Sequence, residues 1–518
     1  MNGAEALIRC LGEAGVEVCF ANPGTSEMQL VAALDQHPEM RAILGLFEGV
    51  VTGAADGYGR MADKPAATLL HLGPGLANGC ANLHNAKRAR TPVVNLVGDH
   101  ATWHLEFDAP LTSDVVCVAS PMSDWVAVSR SASDLAAMGG EAVAQAMRYP
   151  GQVATLVAPA NHAWEEGAEP ATPRAPIATP RATDKALDEA VAALARGARC
   201  GLFLGGRGLR ADALEIAGRI AAATGARVVC ETFPARLQRG AGRVPVERLP
   251  YFAEAATDFL SSFDALILIG ASAPVAFFAY PDKPSWLAPA DAAIVKLACP
   301  RKHALDALER LAERCGATAA AVVQPAAVPD VPGDALTPRS IGAILAAMLP
   351  DHAIISDEGT TGGGPIYQAL AGAPAHDWLT LTGGAIGQGL PVALGAAVAC
   401  PDRKVIAVQA DGSAMYTLQA LWTMAREKLD VTVILLNNGS YAILQHELRR
   451  VGVTEPGPIA LSLLDLTRPD LDWVALAAGQ GVEAVCVTTA DAFRDALRDA
   501  MGQRGPRLIE ARMRPQES

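Results

Sequence analysis

Residues 380–412 read TLTGGAIGQGLPVALGAAVACPDRKVIAVQADG, and residues 68–100 read TLLHLGPGLANGCANLHNAKRARTPVVNLVGDH. Each stretch runs from a strand through a glycine-rich turn into a helix of small residues, and then into an apolar strand that ends near an aspartate. The two align without a gap, with Asp99 on Asp411. Two explanations are open: independent use of a common βαβ unit, or first and last domains that share one fold around a common site.

The composition is that of a folded, multidomain protein. The chain has 518 residues, which at about 100–200 residues per domain predicts three or four domains. Apolar residues make up 51% of the chain and charged residues 19%, which excludes a disordered protein. The net charge of −13 argues against nucleic acid or an anionic membrane as the main partner. The ten cysteines are scattered, so neither a zinc site nor a disulfide framework is expected.

Targeting and membrane segments are not expected either. The amino terminus has no basic region followed by an apolar run, which argues against a secretory signal. The longest apolar run, residues 383–400, contains five glycines and reads poorly as a membrane span. We therefore predict a cytoplasmic protein.

Two proline-rich stretches, residues 165–183 and 318–338, divide the chain. Proline at this density opposes both helices and sheet ladders, so both stretches are predicted to be linkers. They separate an N-terminal domain (1–164), a middle domain (184–317) and a C-terminal domain (339–518). Within each domain, β-branched runs alternate with stretches rich in alanine and leucine, which predicts an α/β fold with three parallel sheets.

A carboxylate and a carboxamide each follow an apolar strand in the C-terminal domain. Asp411 ends the strand of the repeat, and Asn438, 27 residues later, closes the run VTVILLNN. Parallel sheets bind ligands beyond the carboxyl ends of their strands, and Mg²⁺ takes oxygen ligands from few protein groups. With the backbone carbonyl of Ser440, these residues predict an Mg²⁺ site, and Gly412 and Ser413 open a helix whose amides suit a phosphate. Taken singly, each feature could be an ordinary turn.

This pattern resembles the motif of thiamin-diphosphate (ThDP)-dependent enzymes, in which Gly-Asp-Gly precedes Asn-Asn. Here Ala410 replaces the first glycine, and Ser413 follows Gly412. The resemblance extends over nearly the whole chain, to the family that contains benzoylformate decarboxylase and the acetolactate synthase large subunit. It implies ThDP and Mg²⁺ as cofactors. It also implies a pyrimidine-binding, a middle and a diphosphate-binding domain, of which the first and last share a fold.

Glu48 stands among apolar residues at the start of a helix-like stretch, in LGLFEGVVTGAADGYGR. By itself it could be a carboxylate stabilised by the helix dipole. The resemblance implies instead that Glu48 hydrogen-bonds the pyrimidine ring of the cofactor. The cofactor's own exocyclic nitrogen then removes the thiazolium proton, and the cofactor accepts the electron pair when CO₂ leaves.

The resemblance also implies the remaining cofactor contacts. Ile386 would hold the cofactor bent, although it could equally be a core residue, and the carbonyl of Gly384 would accept from the aminopyrimidine. The stretch DEGTTGGG resembles the diphosphate loop, so Thr360 and Thr361 are candidate hydroxyl contacts. The other implied cofactor-binding residues are Asp411, Gly412, Ser413, Asn438, Ser440 and Tyr441.

Two N-terminal residues are candidates for substrate binding. Thr25 stands where benzoylformate decarboxylase has an active-site serine and could hold a substrate carboxylate. His71 matches an active-site histidine of that enzyme and could act as a general acid or base, or it could be a buried structural histidine.

Other positions depart from the known relatives. Phe278 is the nearest match to a second histidine of benzoylformate decarboxylase, which puts benzoylformate in doubt as the substrate. His100 and His104 could replace that histidine, or they could belong to a surface loop. Glu447 stands where acetolactate synthases have a tryptophan. FAD, which acetolactate synthases bind in the middle domain, is not expected because LFLGGRGLRADALEIAG lacks the full dinucleotide fingerprint.

We therefore predict a ThDP- and Mg²⁺-dependent enzyme that decarboxylates a 2-oxo acid and then forms an aldehyde or joins the product to a second carbonyl compound. The resemblance implies a homodimer or homotetramer in which Glu48 of one chain and Asp411 of another share a site. The alternatives are acetolactate synthesis from pyruvate and a non-catalytic binding or regulatory subunit. A dehydrogenase would need a dinucleotide fingerprint after the first strand, which is missing.

Overall fold

The structure is a computed structural model that describes residues 1–513. Its strands form three separate sheets of six, five and seven strands. Within the described residues, no helix is both long enough and apolar enough to cross a membrane.

The first sheet is parallel throughout and is covered by helices on both faces. Its strands are β1 (Val18–Asn22), β2 (Arg41–Leu44), β3 (Ala66–Leu70), β4 (Val93–Asp99), β5 (Trp125–Val128) and β6 (Val153–Pro159). Its helices are α1 (Gly3–Glu13), α2 (Met28–Leu34), α3 (Glu48–Ala62), α4 (Leu72–Ala89), α5 (Val115–Ala119), α6 (Ala132–Ala146) and α7 (Ala160–Trp164), with short 3-10 helices at Thr25–Glu27 and Thr102–Phe107. The strand order is β2-β1-β3-β4-β6-β5. Strands β3 and β6 are buried along their whole length, as expected for a sheet packed between two helical layers.

The middle of the chain forms a smaller parallel sheet. Its strands are β7 (Cys200–Leu204), β8 (Arg227–Cys230), β9 (Leu237–Arg239), β10 (Glu247–Arg248), β11 (Ala265–Ile269) and β12 (Ala293–Ala298). Its helices are α8 (Asp184–Leu194), α9 (Ala211–Thr224), α10 (Ala253–Leu260) and α11 (Ala304–Arg314), with 3-10 helices at Gly197–Arg199 and Gly206–Leu209. Five of these strands pair in the order β10-β8-β7-β11-β12, and β9 lies outside this sheet.

The third sheet has seven strands, six of them from the C-terminal part of the chain. These six are β13 (Ile354–Glu358), β14 (His376–Thr380), β15 (Val405–Ala410), β16 (Val431–Asn437), β17 (Glu483–Val487) and β18 (Arg507–Arg512). The helices are α12 (Pro338–Met348), α13 (Gly363–Ala369), α14 (Gly389–Ala399), α15 (Asp411–Ala414), α16 (Ala420–Arg426), α17 (Ala442–Arg450), α18 (Pro458–Ser462), α19 (Trp473–Gly479) and α20 (Ala490–Gly502). The order is β17-β18-β16-β15-β13-β14-β9, and only β9 is antiparallel to its neighbour.

The first and third sheets share one topology. Read from β14, the third sheet runs β14-β13-β15-β16-β18-β17, which is the same order as β2-β1-β3-β4-β6-β5 once each domain is numbered from its own first strand. The shared fold predicted from the repeat is therefore confirmed. The corresponding helices α3 and α14 pack against each other. Glycine permits this approach, because a Cβ at Gly395 would lie 1.9 Å from the Ala54 carbonyl oxygen.

The residue alignment within the repeat is wrong by one βαβ unit. Residues 68–100 span β3, α4 and β4, whereas residues 380–412 span the end of β14, α14 and β15, which correspond to β2, α3 and β3. Asp411 therefore corresponds to His71 rather than to Asp99, and Gly387, which the same alignment places on Gly75, does not correspond to it either. A gapless match arises because glycine-rich turns follow several strands at the same edge of both sheets.

Strand β9 ties the middle of the chain to the C-terminal sheet, where it pairs with β14. The proline-rich stretches contain no helix or strand between Trp164 and Asp184 or between Arg314 and Pro338. The domain limits proposed from the prolines stay a prediction, and the β9 pairing adds a contact across the second of them.

Candidate active site

The predicted site residues lie at the carboxyl ends of the first and third sheets, in two groups. The N-terminal group consists of Thr25, Glu48 and His71, which follow β1, β2 and β3. The C-terminal group follows β13 to β16 and consists of Thr360, Thr361, Gly384, Ile386, Asp411, Gly412, Ser413, Asn438, Ser440 and Tyr441. In the described part of the chain, no hydrogen bond or ion pair joins the two groups.

Glu48 is the first residue of α3, where the helix dipole favours a negative charge. Its carboxylate is half-buried and accepts a hydrogen bond of 3.0 Å from the Asn78 amide. A Cβ at Gly75 would come within 3.2 Å of the other Glu48 carboxylate oxygen, so the glycine keeps this side of the carboxylate open. The geometry leaves Glu48 able to accept or share a further proton.

Thr25 and His71 follow two paired strands, β1 and β3, and therefore lie close together at the carboxyl edge of the first sheet. Thr25 is exposed at the start of the 3-10 helix that follows β1. His71 precedes α4, and the next residue, Leu72, adopts a left-handed backbone with φ of 49°. Such strain in a non-glycine residue is typical of functional turns. Nδ1 of His71 lies 2.8 Å from a carboxylate oxygen of Glu27.

Asp411 is the centre of the C-terminal group. It is 3% exposed, and its two carboxylate oxygens accept backbone hydrogen bonds of 2.8 Å from Gly412 and Gly439. Burial raises the pKa of this carboxyl above its ordinary value, and no ion pair within the described residues neutralises its charge. The pairing of β15 with β16 brings Asn438 to the same edge, as predicted. A buried carboxylate beside a carboxamide is a donor set that suits a hard cation.

The predicted metal donors include only one charged side chain. Among the described residues, no group of three His, Cys, Asp or Glu side chains could hold a metal ion. The Mg²⁺ prediction does not rest on such a group but on one carboxylate, one carboxamide and one backbone carbonyl, with the remaining positions left to phosphate and water, and it stays a prediction. The Asn438 side-chain oxygen accepts from the Ser440 amide at 3.0 Å, which orders this turn.

The residues after Asp411 fold differently from the prediction. The helix at Gly412 is only four residues long, and the next helix starts at Ala420. The Ser413 hydroxyl is buried and donates to the Ala410 carbonyl at 3.1 Å, so it points away from the crevice. A Cβ at Gly412 would come within 2.4 Å of the Tyr441 ring, which shows how closely Tyr441 covers this turn.

The loop with Gly384 and Ile386 is held from both sides. Asn85 donates to the Ala385 carbonyl at 2.8 Å from the N-terminal domain. On the other side, the buried carboxylate of Glu358 accepts from the amides of Gly387 and Gly389 at 2.7 Å each. Gly384 has φ of 76°, a conformation that favours glycine, and Ile386 is half-buried. These contacts hold the backbone of the loop in a fixed position at the carboxyl edge of the third sheet.

Thr360 and Thr361 are exposed in the turn after β13. Thr360 is left-handed, with φ of 47°, and it is the second non-glycine residue with this strain directly beyond a strand of the candidate site. Both hydroxyls are accessible to a ligand.

An aromatic cluster from the middle domain covers Gly384. A Cβ at Gly384 would lie 2.6 Å from Cζ of Phe277. The cluster comprises Phe233, Tyr251, Phe252, Phe277 and Phe278, with neighbouring ring centroids 5.0–5.8 Å apart. Phe278 was the nearest sequence match to the second histidine, but its neighbour Phe277 contacts the loop. Both rings are about half exposed.

The sequence left the roles of three further residues open: His100, His104 and Glu447. His100 is half-buried beyond β4, and its ring centroid is 5.3 Å from that of the exposed His104. Glu447 hydrogen-bonds Tyr280 and lies 3.6 Å from Arg450, so it links α17 to the loop that carries Phe277 and Phe278. This network assigns Glu447 a structural contact between two parts of the chain.

Sequence reasoning missed two buried glutamates, Glu27 and Glu358. Glu27 could have been found from its place three residues after Gly24, because a glutamate at that spacing often caps the preceding backbone N–H. It does so here at 2.7 Å. Glu358 ends β13 and lies in the stretch already compared with the diphosphate loop, but no local pattern shows that it binds amides about 30 residues away.

Comparison with known proteins shows which family and which relatives the chain is similar to. The N-terminal TPP binding domain of thiamine pyrophosphate enzymes matches residues 1–115, and the C-terminal TPP binding domain matches residues 366–511. A Mycobacterium tuberculosis protein named "Putative acetolactate synthase large subunit IlvX" is 53% identical over 98% of both chains. Benzoylformate decarboxylase of Pseudomonas aeruginosa is 29% identical over 96% of both chains.

Solved structures agree over the full length. The ThDP-dependent 4-hydroxybenzoylformate decarboxylase of Rhodococcus jostii RHA1 superposes with a TM-score of 0.87 at 25% identity, covering 100% of both chains. The predicted α/β fold and the predicted resemblance to benzoylformate decarboxylase and acetolactate synthase are confirmed. The chain belongs to the thiamine pyrophosphate enzyme family.

Proposed function

We propose that this protein is a ThDP- and Mg²⁺-dependent enzyme that removes CO₂ from a 2-oxo acid. The product carbon is then protonated to an aldehyde or joined to a second carbonyl compound. The observation that carries the proposal is the buried Asp411 carboxylate, which lies beside Asn438 at adjoining strand ends and whose hydrogen-bond partners among the described residues are backbone amides. Burial of an uncompensated carboxylate is costly unless a cation joins it.

The C-terminal group would hold the metal and the diphosphate. Asp411, Asn438 and the carbonyl of Ser440 supply oxygen ligands for Mg²⁺, which also binds phosphate oxygens. The exposed hydroxyls of Thr360 and Thr361 and the amides near Gly412 offer donors to the diphosphate. The Tyr441 ring packs against Gly412 in this turn, and the Ser413 hydroxyl donates a hydrogen bond to the Ala410 carbonyl.

The N-terminal group would act on the organic part of the cofactor and on the substrate. When bound, ThDP supplies an electron sink for the bond that breaks to release CO₂. Glu48 would hold a proton against the pyrimidine ring, while the carbonyl of Gly384 accepts from its amino group and Ile386 supports the bend. Thr25 would bind the substrate carboxylate, and His71 would exchange a proton with the reacting substrate.

The aromatic cluster supports a substrate with a bulky apolar or aryl side chain. Phe277 closes the crevice beside Gly384, and the exposed faces of Phe277 and Phe278 offer apolar surface. Aryl side chains pack favourably against such rings. Pyruvate has only a methyl group and would not cover this apolar surface. The cluster therefore favours decarboxylation of a larger 2-oxo acid over the alternative, acetolactate synthesis from pyruvate.

We propose that the middle domain does not bind FAD. In such a sheet a nucleotide binds where the strand order reverses, which here is between β7 and β11. A Cβ at Gly270 would lie 2.2 Å from the Gly205 carbonyl oxygen, and Arg90 donates to the Gly270 carbonyl at 3.2 Å. These contacts fill the crevice with the chain itself, which supports the proposal that FAD does not bind here. Purified protein without flavin absorbance would support this.

Assembly and location remain predictions. We propose a homodimer or homotetramer in which two chains share the site, which is consistent with the finding that no hydrogen bond or ion pair of the described residues joins the N-terminal and C-terminal groups. The proposed location is the cytoplasm. A catalytically competent monomer in analytical ultracentrifugation would contradict the shared site.

The deciding experiment is a panel of pyruvate, branched and aryl 2-oxo acids, each incubated with and without ThDP and Mg²⁺. CO₂ release, aldehyde and ligation products would be measured separately. We expect cofactor-dependent CO₂ release, fastest with an aryl substrate. Acetolactate from pyruvate without free aldehyde would establish the synthase alternative. No turnover of any substrate would favour the non-catalytic subunit, although the retained Glu48 and Asp411 argue against it.

A further inference from the structure

Glu27 is a fully buried carboxylate in the turn between β1 and α2. One of its oxygens, Oε2, lies 2.8 Å from Nδ1 of His71 and accepts a hydrogen bond of 2.7 Å from the Gly24 amide. The other oxygen, Oε1, is buried and has no hydrogen-bond partner among the described residues. A protein rarely buries a carboxylate so completely without a use for its charge.

The surrounding backbone is shaped for this pair. A Cβ at Gly24 would lie 2.3 Å from Nδ1 of His71, and a Cβ at Gly98, on β4, would lie 1.7 Å from Oε1 of Glu27. Any other residue at either position would displace the imidazole or the carboxylate. Three neighbouring strands, β1, β3 and β4, therefore combine to hold one glutamate against one histidine.

The hydrogen bond determines the tautomer of His71. An ionised carboxylate only accepts, so Nδ1 must carry the proton and Nε2 is left as the reactive nitrogen. The His71 side chain is 24% exposed, so part of the ring reaches the crevice while Glu27 lies behind it. Burial raises the pKa of Glu27, and the bonds from Gly24 and His71 oppose that rise.

We propose that Glu27 is the positioning residue of His71, which orients the imidazole and stabilises its charged form while Nε2 exchanges a proton with the substrate. The inference rests on the proposed function, because it assigns His71 its part in that reaction. It adds a second carboxylate to the N-terminal group, with a role distinct from that of Glu48.

Few other charged groups act on this pair. On β4, Asp99 follows Gly98, but its carboxylate binds the His100 amide. On α7, which packs against the turn, His162 bonds Ser129. His71 is the cap residue of α4, and the basic residues Lys87 and Arg88 lie in the last turn of that helix, at the end away from His71. A change in the behaviour of His71 on altering Glu27 would therefore report this contact.

The test is Glu27→Gln, which keeps the shape of the side chain and removes its charge. The matched control is Glu39→Gln, because Glu39 forms the other glutamate–histidine contact among residues 1–513, an exposed one with His37 at 3.1 Å. We expect Glu27→Gln to lower kcat/KM by about ten- to a hundredfold and to shift its pH profile to lower pH, because the imidazolium loses its counter-charge. Glu27→Asp should recover part of the activity, and Glu39→Gln should change neither.

A second measurement does not depend on turnover. The ¹⁵N shifts of the His71 ring, assigned by comparison with His71→Asn, should show the proton on Nδ1 in the unaltered protein. A proton on Nε2, or an unchanged pH profile in Glu27→Gln, would overturn the inference. If no 2-oxo acid is turned over but the Nδ1 tautomer is found, the proposed function fails while the contact stands.

Discussion

Asp56 and Gln388 join the two related domains through a buried hydrogen bond of 2.7 Å, in which the Gln388 amide donates to the carboxylate. The same carboxylate pairs with Arg60 and accepts from Thr91 at 2.6 Å. Arg60 in turn donates to the Thr380 carbonyl at 2.8 Å, across the same boundary. This polar centre lies beside the packed helices α3 and α14 and fixes the loop that carries Gly384.

Asp56→Ala should destabilise the fold strongly. It leaves the Arg60 guanidinium, 1% exposed, without its counter-charge, and breaking a buried ion pair costs about 3–5 kcal/mol. Denaturant unfolding followed by circular dichroism measures the change. Glu13→Ala removes an exposed partner of Arg9 and should change the free energy of unfolding by less than about 1 kcal/mol. Equal effects of the two substitutions would contradict the assignment of Asp56.

His376 should make the protein sensitive to acid. It is buried on β14, its Nδ1–H donates to the Pro374 carbonyl at 2.8 Å, and burial, with Arg239 nearby, lowers its pKa from 6.5 to about 4. Between these two pH values the unfolded chain binds a proton that the native chain does not. Stability is therefore lost as pH falls from 6.5 to about 4, by up to about 3 kcal/mol.

His376→Asn keeps a donor for the Pro374 carbonyl without a group that titrates in this range. Its free energy of unfolding should consequently fall less between pH 6.5 and pH 4 than that of the unaltered protein. The exposed His352 is the control, and His352→Asn should leave the pH dependence unchanged. A parallel loss in all three proteins would rule out His376 as the cause.

Glu48→Gln should abolish most of the activity while leaving the fold intact, because the half-buried side chain keeps its shape but cannot share a proton with the pyrimidine ring. We expect kcat to fall by about 10²–10⁴-fold. Deuterium exchange at C2 of ThDP, measured by NMR, should slow in parallel. Glu17→Gln, at a residue in a surface ion pair with Lys64, is the control. Unchanged exchange and turnover in Glu48→Gln would refute the role given to this residue.

Asp411→Asn should weaken cofactor binding in a metal-dependent way. Loss of the carboxylate removes the only charged donor of the proposed Mg²⁺ site. Because even outer partners of metal ligands contribute about 10–100-fold, we expect the Kd for ThDP at fixed Mg²⁺ to rise by at least that factor in calorimetry. The exposed Asp402 provides the control, Asp402→Asn. A Kd that does not depend on Mg²⁺ in the unaltered protein would remove the basis for the site.

Phe277→Ala should change substrate preference more than overall activity. Removing the ring beside Gly384 takes apolar surface from the crevice, and we expect kcat/KM for aryl 2-oxo acids to fall by about ten- to a hundredfold relative to pyruvate. Phe259→Ala, in the middle domain against Phe263, is the matched control. An unchanged ratio of the two substrates in Phe277→Ala would show that the aromatic cluster does not contact the substrate.

Local sequence patterns were sufficient to predict the elements and the edge on which the site lies. Strand–helix alternation predicted parallel sheets, and polar residues after apolar strands, such as Asp411 and Asn438, indicated the carboxyl edge. These features depend on neighbours along the chain, where the spacing of apolar residues and the need for glycine in tight turns act directly.

Only the tertiary structure decided which strand ends are neighbours. The repeat left open whether the first and last domains share a fold, and its gapless alignment paired Asp411 with Asp99, whereas the strand order pairs Asp411 with His71. The contact of Glu27 with His71 and that of Phe277 with Gly384 join residues 44 and 107 positions apart. Such contacts depend on the order of the strands and on the docking of the domains. The periodic pattern of apolar and polar residues along the chain specifies neither.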